Sequence, residues 1–274
     1  MRSKPLDARG ARGSAGLRLG ALGLHALGVV RSLRALYLTL AKTLYYVARG
    51  RHEPGAVLRQ MYEIGNRSLA FVCIVMGFIG MILVYQGGLQ NQRVLPDLSG
   101  LGATFLEVLV RDLASSICAL MLATRVGAGI AAEIGSMVVT EQVDALRMCA
   151  ADPYDYLVKP RLLASVVMTL ALVVISGSVA YLTGMAAGYA FFDINPRTFF
   201  NTSLIDAGDA VVGLAKSLAY GVAIPIISAE AGLSTFGGSQ GVGAATTRAV
   251  VSSSLAVIVL DFVLSGAGYL VFGA

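Results

Sequence analysis

The stretch AEIGSMVVTEQVDALRMCAADPYDYLVKPRLLA, residues 132–164, decides how this chain must fold. Long apolar runs flank it on both sides. Within it sit Glu133, Glu141, Asp144, Arg147, Asp152, Asp155, Lys159 and Arg161. Charge is costly at a bilayer centre, so a charged insert between two membrane spans lies outside the lipid. It is a solvent-side element that another protein can grip.

The rest of the chain supplies the membrane. Apolar residues make up 56% and charged residues 14% of the sequence, with a mean hydropathy of +0.74. That is the composition of a polytopic membrane protein. Its 274 residues accommodate about five spans of roughly 20 residues and one N-terminal element. No separate soluble catalytic domain fits beside them. The expected spans are 68–89, 103–123, 162–191, 210–231 and 249–272. The third is long enough to tilt or to extend past the bilayer.

Charge orients the bundle. Twelve of the 21 Lys/Arg precede residue 68. A basic N-terminal third can serve nucleic acid, but beside these spans the positive-inside rule explains it better. The N-terminus is therefore expected in the cytoplasm and the C-terminus outside. The loop FDINPRTFFNTSLIDAGD, residues 192–209, carries Asp193, Asp206 and Asp209 against Arg197 alone and faces out.

Residues 1–16 are Gly/Arg/Ala-rich and expected to be disordered. Residues 17–66 form an interfacial helical region. There Arg31, Arg34, Lys42 and Arg49 share one face at about 100° per residue, with Leu33, Leu36, Leu40 and Leu44 on the others. A signal peptide would end in a cleavage site instead of continuing as a basic helix. The five-span domain then occupies 67–274. Gly77, Gly80, Gly177, Gly184 and Gly188 recur within its spans. Internal helix packing and homodimerisation fit them equally well.

Tests for chemistry in the chain itself are negative. No GxxxxGK[ST] loop is present, and GDAVVGLAKS at 208–217 has the wrong spacing and sits at a span entrance. The serines at 252–254 lack a GxSxG elbow. His25 and His52 form no ligand pair. Cys73, Cys118 and Cys149 lie too far apart in sequence for a CxxC or Cys/His cluster. No metal site is expected, no cofactor in this chain, and no intrinsic hydrolase.

Ionisable residues nevertheless occur within the spans. Arg111, Asp112, Lys216 and Asp261 are expected to cluster in the outer half of the bilayer, and Glu230 to be solvated at the inner end of the fourth span. One reading has Arg111 and Lys216 neutralising Asp112 and Asp261 to hold the bundle. The other is a polar pocket for an anionic headgroup, or a switch.

Read as a helix, 136–150 places Glu141, Asp144 and Arg147 on one face and Val143, Leu146 and Cys149 on another, ending at Asp152–Pro153. Spacing alone leaves a solvated connector and a lever for a cytoplasmic motor equally plausible.

The same stretch resembles the signature of the MlaE/YrbE family of ABC-transporter permeases. So do FIGMILVYQGGLQ at 78–90, LVRDLASSICALMLATRVGAGIAAEIG at 109–135 and GGSQGVGAATTRAVVSSSLAVIVLDFVL at 237–264. Together they cover most of residues 60–265 in family order.

The resemblance implies a homodimer in the bacterial inner membrane, each subunit all-α, with an N-terminal interfacial helix and five transmembrane helices. It implies a coupling helix at about 133–150, docking a cytoplasmic ABC ATPase that binds ATP and Mg. Glu133, Thr140, Glu141, Asp144, Arg147 and Asp152 are its candidate coupling residues. It further implies a periplasmic MCE-domain protein, in some systems a STAS-domain protein, and a phospholipid substrate that Met81, Val84 and Tyr85 help to line. Two departures stand out: Asp112 where Glu is common, and ASSI at 114–117 where Gly-Pro is common. A proton-coupled secondary transporter and a non-transporting scaffold are the alternatives.

Overall fold

The computed structural model describes residues 8–49, 54–94 and 100–272. Among the described residues the chain is helical and has no strand. Helix α1 spans Ala8–Arg49, beginning inside the stretch 1–16 whose composition gives disorder; residues 1–7 lie outside the described residues. Then follow α2 (Pro54–Met61) and α3 (Arg67–Val94). Helices α4 (Leu101–Val108), α5 (Ala114–Leu122) and α6 (Ala128–Val139) form one helical run. After α7 (Gln142–Met148) come α8 (Lys159–Phe192), α9 (Pro196–Phe199), α10 (Ala207–Leu233) and α11 (Gly238–Phe272).

Among the described residues, four helices are long and apolar enough to cross a membrane: Gly55–Arg93, Tyr154–Phe192, Ala207–Leu233 and Gly238–Phe272. They contain the expected first, third, fourth and fifth spans. The expected second span, 103–123, lies in the run 101–139, which is not one of the four. It carries Glu107, Arg111, Asp112, Arg125 and Glu133. The run is nevertheless a core element, with Cys118, Ala119, Ala123, Ala131 and Ile134 fully enclosed.

Among the described residues, four π-turns interrupt the helices: Tyr62–Asn66, Leu109–Leu113, Ala123–Gly127 and Tyr154–Val158. Each carries at least one charged residue. A π-turn re-aims the side chains beyond it and is common at functional sites. In the run 101–139 two of them flank α5.

Helix ends follow local chemistry. Asp206 and Asp209 form a capping box at the start of α10. Asn195 accepts a hydrogen bond from the Arg197 amide, and Pro196 opens α9. Asp193 takes a left-handed φ of 53° and closes α8.

Helix α8 is the central strut, packing on α3 and on α10, while α10 also contacts α6 and α11. The α3–α8 contact is backbone to backbone. A Cβ at Gly80 would stand 2.1 Å from the Ala180 carbonyl oxygen. Gly77, Gly177, Gly184 and Gly188 likewise face Thr183, Ala114, Phe105 and Phe199 of the same chain. The glycines therefore serve internal packing. Gly80→Val is expected to cost about 1–3 kcal/mol or more through overpacking, read as a lower unfolding temperature in detergent. An unchanged unfolding temperature would contradict this contact.

One edge of α1 packs on the bundle through Leu36, Leu40 and Val47, with Thr39 and Thr43 buried. Leu33, Tyr37, Leu44 and Tyr45 remain exposed, as do Arg31, Arg34, Lys42 and Arg49. Large apolar side chains also cover the outside of α3 and α11, among them Ile74, Phe78, Leu255 and Phe262. Exposure on this scale marks a surface that meets lipid or another chain.

Candidate functional site

Lys216 is brought together with Asp112 and Asp261, whereas Arg111 is paired outside this group. Lys216 is fully buried, nine residues into α10. Its Nζ lies 2.9 Å from Asp261 Oδ1 on α11 and also pairs with Asp112 in the second π-turn. Asp261 Oδ1 accepts hydrogen bonds from Ser116 Oγ and Tyr220 OH, both at 2.8 Å. One ammonium thus sits between two carboxylates drawn from three helical segments.

Arg111 pairs elsewhere. Its Nη1 lies 3.5 Å from Asp209 Oδ1, which the sequence places in the outer loop. Successive residues of a helix point in different directions, so Arg111 and Asp112 cannot both face Lys216 and Asp261. Asp209 sits in the first turn of α10 and is buried, and its Oδ2 accepts the Asp206 amide at 3.1 Å. Glu230 is half-buried at the far end of α10.

The cluster is asymmetric in exposure. Lys216 is enclosed, whereas the Asp261 side chain is 25% exposed and that of Asp112 43%. Asp112 therefore shows a carboxylate on the flank of the bundle, deep along the helical run.

At the opposite end of the bundle the expected helix 133–150 is two helices. Helix α6 ends at Val139, with the Thr140 hydroxyl donating to the Ser136 carbonyl at 2.8 Å. Glu141 then takes a left-handed φ of 59°, and α7 runs from Gln142 to Met148 only. A non-glycine residue at positive φ breaks the helix, so Glu133 and Asp144 do not share one axis. Ala150, at φ 58°, reverses the chain again before Pro153. Helix α7 buries Val143, while Cys149, expected on the same apolar face, is exposed. Asp144 and Arg147 form an exposed pair at 3.0 Å, and Met148 is 89% exposed.

The remaining coupling candidates are held from within. Glu133 accepts from Arg161 Nη2 at 2.8 Å, joining α6 to α8. Asp152 accepts from the Tyr154 amide and from Tyr46 OH, both at 2.9 Å, and Lys42 lies over the Tyr154 ring at 4.8 Å. Helix α1 therefore grips the segment that follows α7. The hydrogen bond to Asp152 is the main reason the Tyr46 phenol is held above its usual value of 10. The raised acid is protonated in the contact, so the contact is present below pH 10 and is lost as pH rises through the raised value. Tyr46→Phe is expected to remove one late phenolate step from the absorbance titration. A titration curve unchanged by the substitution would argue against the contact.

Of the lipid-lining candidates, Met81 and Tyr85 lie at the surface of α3. Tyr85 packs edge-on against Phe191, with ring centroids 5.1 Å apart. Val84 is 1% exposed and is directed into the core beside Gly184. One helical step from Tyr85 rotates it away from the outer surface.

The family model described as Permease MlaE matches residues 57–267. The chain belongs to the MlaE permease family. A probable ABC transporter permease of Synechocystis is 38% identical over 237 residues, covering 86% of this chain and 89% of that protein. A probable ABC transporter permease of Rickettsia felis is 35% identical over 211 residues, 76% of this chain and 81% of its own length. The Arabidopsis thaliana protein TRIGALACTOSYLDIACYLGLYCEROL 1, chloroplastic, is 32% identical over 221 residues, 80% of this chain and 63% of that one. The molecule is a multi-pass membrane permease of the ABC type, a kind of subunit that works with an ATPase partner.

Three residues of this MlaE permease's site escaped sequence reasoning. Asp209 read as loop, though its capping-box spacing with Asp206 was a visible sign that it starts a helix. Ser116 and Tyr220 read as ordinary span residues, and no local signal marks them.

Proposed function

We propose that this permease is the transmembrane subunit of an ATP-driven phospholipid transporter in the bacterial inner membrane. The run 101–139 is its second span, which makes five, with the N-terminus and α7 cytoplasmic and the C-terminus periplasmic. It works as a homodimer. Helix α7 docks a cytoplasmic ABC ATPase that binds ATP and Mg, a periplasmic MCE-domain protein exchanges the lipid, and a STAS-domain protein joins in some systems. ATP binding draws the ATPases together, the α7 segments move with them, and access to a lipid site near Met81 and Tyr85 changes.

The observation that carries this reading is α7 itself. It is a short helix set off by two left-handed residues, with Asp144, Arg147 and Met148 outside the bundle. Among the described residues, nothing in this chain occupies that surface. Asp112 supports the dimer: a 43% exposed carboxylate at this depth is expensive against lipid and inexpensive against a partner or a wet cavity. The glycerolipid in the Arabidopsis relative's name is in keeping with a lipid cargo.

Purification in mild detergent with mass spectrometry of what remains bound tests the proposal. The expected result is a dimer carrying an ATPase and phospholipid. Recovery of the permease without an ATPase would count against it.

The Lys216 cluster favours a second reading, transport driven by protons through Asp112 or Asp261. Lipid transport by this chain alone, abolished by an uncoupler and indifferent to ATP depletion, would select that reading.

A further inference from the structure

A recess of about 990 Å³ opens at the end of the bundle where α3 and α8 begin. It sits between α2, the end of α6 and the start of α8, at the opposite end of the bundle from Lys216. Its volume is at the upper end of the range for small-molecule sites. Its charges are ordered. Glu63 pairs with Arg67 at 2.6 Å, Glu133 with Arg161 at 2.8 Å and Asp155 with Lys159. Every acid on its wall is thereby neutralised. Arg59 lines the same wall and makes no ion pair among the described residues. Arg161 is 5% exposed, and its Nε is buried with no hydrogen-bond partner among them. A buried guanidinium N–H without an acceptor is costly. With Arg67 beside the lining paired to Glu63, Arg59 is left as one surplus positive charge on the recess wall.

We infer that the recess binds the phosphate of an anionic lipid from the leaflet on that side, with Arg59 as its donor. Two features favour lipid over a protein segment. The apolar spans start within a few residues of the lining, at 68 and 162, which places the recess at headgroup level. Its rim carries Tyr156, 59% exposed, the kind of side chain that settles at a membrane interface. By contrast, α7's exposed Asp144, Arg147 and Met148 take no part in the lining. Basic pockets between membrane helices on the cytoplasmic side hold anionic headgroups in this way. The site lies away from the transport path proposed above and does not depend on it.

The test is a lipid titration of the full-length permease in detergent by native mass spectrometry. Phosphatidylglycerol is compared with phosphatidylcholine. Arg59→Ala is expected to weaken phosphatidylglycerol about fivefold and to leave phosphatidylcholine unchanged. Arg93→Ala, at the other end of α3, should change nothing. Because only the Arg59-dependent fraction is read, lipid held near Met81 and Tyr85 does not enter the result. Equal binding of the two lipids, or no effect of Arg59→Ala, overturns the site. Inorganic phosphate binding alone with the same Arg59 dependence would overturn lipid as the source. Loss of a co-purifying ATPase in Arg59→Ala with lipid binding intact would make the recess a protein dock and overturn the assignment.

Discussion

Lys216→Met is expected to lower the stability of the permease by about 3 kcal/mol and to abolish transport. The ammonium is fully enclosed between Asp112 and Asp261, and its loss leaves two carboxylates facing each other. Breaking a buried pair costs about 3–5 kcal/mol. The lower end applies because Asp112 and Asp261 keep 43% and 25% of their side-chain exposure.

A compensated variant separates stability from function. Lys216→Met combined with Asp112→Asn and Asp261→Asn removes all three charges at similar volume. Its unfolding temperature should return close to that of the parent, since replacing a whole buried network is often near neutral. If transport in proteoliposomes returns as well, the cluster only holds the bundle together. If stability returns and transport does not, the charges act in the transport cycle. Asp261→Asn alone separates the same two roles from another side, because its amide oxygen can still accept from Ser116 and Tyr220.

Glu141→Lys with Asp144→Lys is expected to reduce ATP-driven transport at least about tenfold, a loss of roughly 1.4 kcal/mol of productive contact. Both residues are exposed, so the fold should shift by no more than about 0.5 kcal/mol. The reversal turns the Asp144–Arg147 pair into a cluster of three cations, which repels a basic partner surface and loses its complement. The readout is ATPase activity stimulated by lipid, beside transport in the same vesicles. Full coupling in this double variant, with coupling lost in Met148→Asp, would show that the apolar edge of α7 meets the motor instead.

Much of the architecture was legible because it obeys local rules. Apolar runs of span length, the basic N-terminal third and the charged stretch 132–164 each carry their own period or composition. The long helices fall where those runs are, and the charges at 111, 112, 216 and 261 were visible as anomalies against them. The sub-helical detail was not legible. A single left-handed residue at Glu141 divides one apparent helix, and its sequence neighbourhood has no glycine or proline to announce it. The π-turns that set the direction of Arg111 and Asp112 leave no composition signal either.

The sequence by itself determined that this is a helical membrane permease, which end of each span bears charge, and which family it joins, because hydrophobic length and motif order are properties of the chain. Only the tertiary structure decided the partners. It set Lys216 between Asp112 and Asp261, gave Arg111 to Asp209, turned Val84 inward and left Arg161 Nε without an acceptor among the described residues. Those choices depend on how helices far apart in sequence rotate against one another. That rotation is set by close contacts such as Gly80 on Ala180, which no local pattern encodes.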